Sequence, residues 1–139
     1  MNALVDTSVW SLALRRKGEV LNSVEKSVVF ELTELIKEGR AGIIGLIRQE
    51  LLSGIRTVEQ YDKLRTHLRS FPDEPVDTAD YEDAAKAGNQ CRTKGIVVSV
   101  VDALLCAVAM KRRWTVFTTD PDFKNYATVL PLKLHTLRK

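Results

Sequence analysis

Histidine and cysteine are scarce in this sequence, two of each in 139 residues, and that scarcity excludes several chemistries at once. Cys91 and Cys106 fall within helical patterns, with neither a CxxC spacing nor a nearby histidine. A disulfide framework is therefore not indicated, and both are expected as small buried side chains of a protein in a reducing cytoplasm. His67 and His135 have no partner at zinc-ligand spacing, which argues against a zinc site and against a Ser-His-Asp triad. No apolar run approaches the roughly 20 residues that cross a bilayer. Met1-Asn2-Ala3-Leu4-Val5-Asp6 reaches an acid too early, and without a basic leader, for a signal peptide. Internal repeats and low-complexity segments are absent as well. What remains is 45% hydrophobic and 28% charged, the balance of a globular protein. A single domain over residues 1–139 is expected, long enough to bury a core without disulfides or a structural metal.

The net charge is only +3, yet acids gathered in one site would leave the remaining surface more basic than that figure. Arg15-Arg16-Lys17, Lys111-Arg112-Arg113 and Arg138-Lys139 are candidate phosphate contacts, although basic residues also favour helix C-termini for dipole reasons.

Short apolar runs alternate with longer helical patterns, which predicts an α/β sandwich with a central, mainly parallel sheet. Residues 2–6 read as a buried strand and Ser8 to about Arg16 as a helix. Val20, Leu21, Val24, Val28, Leu32, Leu35 and Ile36 recur at helical spacing, and Gly39 ends that helix. Ala41 to Gly45 reads as a second strand, and Leu46 to Ser53 as a helix stopped by Gly54. Another helix is expected from Thr57 to Ser70 with Val58, Tyr61, Leu64 and Leu68 inward. The stretch 71–75 is a break too short for a domain linker. A helix from Thr78 to Arg92 precedes Gly95 and the brief run Ile96-Val97-Val98. Ser99 caps a helix from Val100 to Lys111. Thr115 to Thr118 reads as a strand, Pro121 starts a turn or short helix, and Val129 to Leu134 reads as a final strand.

Four carboxylates occupy positions where an indifferent charge is hard to justify. Asp6 ends the first strand, where open α/β sheets place their ligands, although it or Ser8 would also serve as a helix cap. Glu50 falls within the face marked by Leu46, Ile47, Leu51 and Gly54, while Arg48 and Gln49 supply the polar face. A carboxylate buried there costs several kcal/mol unless a cation or metal answers it. Asp102 has capping-box spacing from Ser99 but stands at the mouth of a helix that is apolar or small from Ala103 to Met110. Asp120 precedes Pro121 as an N-cap would, and Asp122 adds a second carboxylate to that loop. Each acid has such an ordinary reading on its own. Gathered in one cleft, they would repel one another until a divalent cation neutralised them.

At four places, in one order, the chain resembles PIN-domain ribonucleases of the VapC toxin type. The segments are Val5-Asp6-Thr7-Ser8-Val9-Trp10, Gln49-Glu50-Leu51-Leu52-Ser53-Gly54, Ser99-Val100-Val101-Asp102-Ala103-Leu104-Leu105-Cys106-Ala107, and Phe117-Thr118-Thr119-Asp120-Pro121-Asp122-Phe123. Residues 57–98 carry little of the family pattern. Cys106 stands where a small residue is usual and Trp10 where an aliphatic one is common. The resemblance implies a PIN-like three-layer sandwich with Asp6, Glu50, Asp102 and Asp120 as the catalytic acids. Ser8, Thr118 and Asp122 would support them.

The activity implied is endonucleolytic cleavage of tRNA or rRNA by metal-activated water, leaving a 5′-phosphate and a 3′-hydroxyl. An oxygen-only ligand set suits Mg²⁺ or Mn²⁺. Asp6 and Asp102 would be direct ligands, Asp120 would hold the same or a second ion, and Glu50 would bind through water or orient the attacking water. A VapB-like antitoxin is implied as partner, an arginine of which would displace the metal, together with a homodimer formed through the helices after residue 78. The alternatives are a PIN nuclease for RNA maturation outside any toxin–antitoxin pair, and a non-catalytic module that binds RNA or protein. An aspartyl-phosphate phosphatase of the haloacid dehalogenase kind is disfavoured, because it needs an acid where Ser8 stands.

Overall fold

In the computed structural model, residues 1–14 and 20–138 are described. Three short strands form one parallel sheet: β1 (Ala3–Val5), β2 (Ala41–Gly42) and β3 (Thr115–Phe117), in the order β2-β1-β3. Ala3 pairs with Ala41 on one side and with Thr115 on the other. All three residues of β1 are buried, as expected of the central strand in a sheet covered by helices.

Between β1 and β2 lie α1 (Thr7–Leu14) and α2 (Ser23–Lys37). Between β2 and β3 lie α3 (Gly45–Leu52), α4 (Val58–Leu68), α5 (Thr78–Thr93) and α6 (Val100–Arg112), and α7 (Asp122–Tyr126) follows β3. The chain leaves β1 toward one edge and returns to the other. The carboxyl ends of β1 and β3 therefore flank the switch point at which such sheets bind ligands.

Local signals place the helix ends. Asn22 and Asp77 open α2 and α5 with reciprocal capping boxes to Glu25 and Asp80. The Ser99 hydroxyl accepts from the Asp102 N–H, so Ser99 is the N-cap, but the Asp102 carboxylate does not return the bond that would complete the expected capping box. Gly39 and Gly54, at φ 68° and 80°, follow α2 and α3 in the left-handed region that glycine enters without a Cβ penalty. Ala103 to Ala109 of α6 are all buried, which makes it the central helix of the core.

Three ion-pair networks tie the layers together, two of them centred on a buried carboxylate. Arg48 reaches from α3 to Asp73 and to the carbonyls of Leu68 and Phe71. Arg112, at the end of α6, bonds Glu74, the Pro75 carbonyl and both oxygens of the buried Asp80, whose carboxyl it holds below the usual range. The C-terminal segment returns to α2, where His135 Nε2 donates to Glu31 at 2.6 Å and the Arg138 guanidinium bonds both Glu31 and Glu38. Glu31 is 2% exposed. Burial pushes its carboxyl up, but the hydrogen bonds from Arg138 and His135 outweigh that and bring it from 4.5 down to about 2.

Several expectations give way here. Val129 to Leu134 is not a strand. Only a single parallel bridge joins Leu134 to Val116, and Pro131 has no N–H to extend it. The second strand stops at Gly42, and Gly45 already begins α3. Val20, Val24 and Val58 are exposed rather than inward, because the core is filled from Val28, Leu32 and Leu35 on α2 and from Leu64 and Leu68 on α4. The end of the first helix, expected near Arg16, lies outside the described residues.

Candidate active site

Asp6 follows β1 directly and is 6% exposed, held in place by its backbone N–H, which donates to the Phe117 carbonyl at 2.9 Å. Two hydroxyls converge on one of its oxygens: Ser8 Oγ donates to Oδ2 at 2.9 Å and Thr118 Oγ1 at 2.8 Å. Those hydroxyls also accept backbone N–H groups from the loop after β3, Ser8 from Thr119 and Thr118 from Asp120. The first strand end and the last are thus cross-braced around a single carboxylate, so neither loop can shift without disturbing it.

Asp120 is half-buried in that loop, and its Oδ1 accepts the N–H of Asp122 at 2.9 Å. The N-cap of α7 is Pro121 rather than Asp120, so the expected cap is displaced by one residue and Asp120 instead braces the loop before the helix. Asp122 itself is exposed.

Asp102 enters from the first turn of α6, where Tyr126 on α7 donates its hydroxyl to Oδ2 at 2.8 Å. Its carboxyl is raised above the ordinary aspartate value. Burial contributes most, the Tyr126 hydrogen bond works against it, and the charges of Asp6, Asp120 and Glu50 push it further up. Asp102 therefore lies within reach of the charges of the other three acids named from sequence. Burial, together with the hydrogen bond to Asp102, also raises the Tyr126 phenol, which stays a donor.

Glu50 does not lie in the buried face where the sequence placed it. It is exposed, at the mouth of the cleft, with Thr7 Oγ1 donating to its Oε1 at 2.6 Å. Gly54 is exposed too, while Arg48, expected on the polar face, turns inward. The buried positions of α3 are Ile47 and Leu51, and Glu50 flanks them.

Thr7 and Tyr126 were not picked out as site residues from sequence. Thr7 sits between two that were, and Tyr126 is an aromatic with a polar tip four positions after Asp122. No ion pair reaches Asp6, Glu50, Asp102 or Asp120 from the described residues. Nor do three or more His, Cys, Asp or Glu side chains among the described residues form a ready metal-ligand cluster. The donor chemistry nonetheless fits a hard divalent ion, which takes carboxylate oxygens and fills its shell with water and phosphate.

The basic runs divide. Arg112 and Arg138 pair with internal carboxylates, and Lys111 also reaches Asp80. Lys111 and Arg113 are exposed, whereas Arg15-Arg16-Lys17 and Lys139 lie outside the described residues. Cys91 and Cys106 are buried free thiols, and burial raises both, Cys106 strongly with the charge of Asp102 adding to it.

The PIN domain pattern matches residues 3–129. No curated protein matches the sequence. Among solved structures, the chain is similar to FitAcB from Neisseria gonorrhoeae at 20% identity and TM-score 0.74, covering 96% of both chains. It is similar to VapBC2 from Rickettsia felis, bound to a DNA fragment from their promoter, at 17% identity and TM-score 0.77, covering 99% of this chain and 100% of that one. A toxin–antitoxin complex from Klebsiella pneumoniae matches at 20% identity and TM-score 0.59, over 96% of this chain and 100% of the other. At these identities the likeness is one of fold.

Proposed function

The chain belongs to the PIN domain family, and from that premise we propose that it is a Mg²⁺- or Mn²⁺-dependent endoribonuclease toxin that cuts structured cellular RNA. PIN domains are generally nucleases. The observation that carries the reading is the meeting of four carboxylate charges at Asp102, with no cation of the described chain to answer them.

Asp6, Asp102 and Asp120 would hold the ion. When bound, it supplies charge neutralisation at the scissile phosphate and lowers the pKa of a coordinated water. Ser8 and Thr118 aim Asp6 by donating to Oδ2, and Tyr126 does the same for Asp102, leaving each Oδ1 unengaged. Thr7 donates to Glu50 Oε1, and Glu50 would bind the ion through water or orient the attacking water. Asp122 borders the same loop and would adjust its charge.

Among the structures of like fold is a toxin–antitoxin complex, which supports a VapB-like antitoxin as partner. Exposed Tyr81 at the start of α5, and exposed Val97 and Val100 beyond its end, would be separate apolar contacts for a homodimer or toxin–antitoxin hetero-oligomer. Among the described residues no helix is long and apolar enough to cross a membrane.

The test is cleavage of total cellular RNA by purified protein with Mg²⁺, Mn²⁺ or EDTA, with D6N and D102N alongside. Discrete metal-dependent cuts with 5′-phosphate ends, lost in both variants, are expected. RNA binding without cleavage in all three proteins would point instead to a non-catalytic module.

A further inference from the structure

Beside the acids lies a groove of about 350 Å³ lined by Thr7, Leu46, Gln49, Glu50, Ser53 and Val101. Leu46, Gln49, Glu50 and Ser53 are spaced i, i+3, i+4 and i+7, so they form one stripe along α3. The facing wall is Thr7 and Val101, which are the chain neighbours of Asp6 and Asp102. The groove therefore opens directly off the cleft that would hold the scissile phosphate.

Its chemistry selects against a second phosphate, because Glu50 puts a carboxylate on the rim and no Lys or Arg among the described residues lines it. Leu46 and Val101, both half-buried, offer apolar side walls. The Gln49 side chain is exposed and its amide has no hydrogen-bond partner among the described residues, while its backbone carbonyl accepts the Ser53 hydroxyl at 2.6 Å. A primary amide presents one acceptor and a donor side by side. That pattern matches a base edge carrying an amino group next to a ring nitrogen.

We propose that this groove is a nucleobase subsite that seats one unpaired adenine or cytosine flanking the cut, read by Gln49 and sandwiched by Leu46 and Val101. The proposal rests on the nuclease reading and deepens it to sequence preference. Uracil presents O4, and guanine presents O6, at the position where adenine and cytosine offer the Glu50 carboxylate an amino group. Single-stranded RNA is the form whose bases are free to turn into such a groove.

The experiment has two arms. In the first, wild-type protein cuts an unstructured RNA of mixed sequence with Mn²⁺, and the bases flanking each cut are counted for wild type and Q49A. In the second, fluorescence anisotropy measures binding of short oligo(A), oligo(C), oligo(U) and oligo(G) in EDTA. Wild type is expected to bind oligo(A) and oligo(C) about tenfold more tightly than oligo(U) and oligo(G) and to cut beside adenine and cytosine, with both preferences lost in Q49A. L46A is expected to weaken all four oligonucleotides alike, since it removes a wall and not the reader. Equal affinities in wild type, or a preference that survives Q49A, would overturn the subsite and leave the groove to a protein partner. Absence of cleavage with a Gln49-dependent binding preference would refute the nuclease and retain the subsite.

Discussion

Replacing Glu31 with glutamine keeps the size of the side chain and removes its charge, which isolates what the C-terminal clasp contributes to stability. In the folded protein Arg138 and His135 bring that carboxyl from 4.5 to about 2. At roughly 1.4 kcal/mol per pH unit, the ionised form is favoured by about 3 kcal/mol on folding. The folded value is the lower one. The contribution is therefore fully present above pH 4.5 and is lost as the pH falls toward 2. Urea unfolding of wild type and E31Q is the assay, run from pH 7 to pH 3. At pH 7 the variant is expected to be about 3 kcal/mol less stable, which for a domain of this size lowers Tm by roughly 10 °C. At pH 3 about 2 kcal/mol of that gap should have closed, because wild type has lost most of the benefit the variant never had. A gap of the same size at both pH values would refute the ion-pair account and leave only a loss of packing.

Three further outcomes follow from the same contacts. Y126F removes the only hydrogen bond donated to Asp102 by the described residues. Mn²⁺ affinity by calorimetry should drop roughly 10- to 100-fold while near-ultraviolet circular dichroism is retained. R48A strands the carbonyls of Leu68 and Phe71 and should cost about 3 kcal/mol in urea unfolding, with full expression of the loss already at neutral pH. Cys91 and Cys106, buried and held as thiols, should react with a disulfide reagent only after denaturant is added.

What the sequence made legible was local. An apolar run, an acid, then a helix start is a pattern of neighbours, so Asp6, Asp102 and Asp120 could be placed at strand ends and helix mouths before any contact was known. Glu50 was placed on the right helix but on the wrong side of solvent. At about 100° per residue it lies some 60° from Ile47, close enough to share a helical face on paper. Where α3 meets the core, that angle is enough to turn it outward. Tyr126 acts on an acid 24 positions away, and His135 and Arg138 act on Glu31 more than 100 positions away. No spacing rule reaches across such separations. The expected final strand failed for the opposite reason: its composition suited a strand, and Pro131, which has no N–H, left only the bridge between Leu134 and Val116.

The hydrogen bond from Thr118 to Asp6 spans 112 residues of chain. Synthesis at roughly 5–20 residues per second separates the making of these two residues by about 6–22 seconds. Throughout that interval the nascent chain carries Asp6 without its brace, and Asp120 does not yet exist. A protein able to cut RNA would thus be harmless to the ribosome assembling it until β3 and its loop are delivered and docked. On the proposed reading, the order of the acids along the chain would delay activity until the last of them is made.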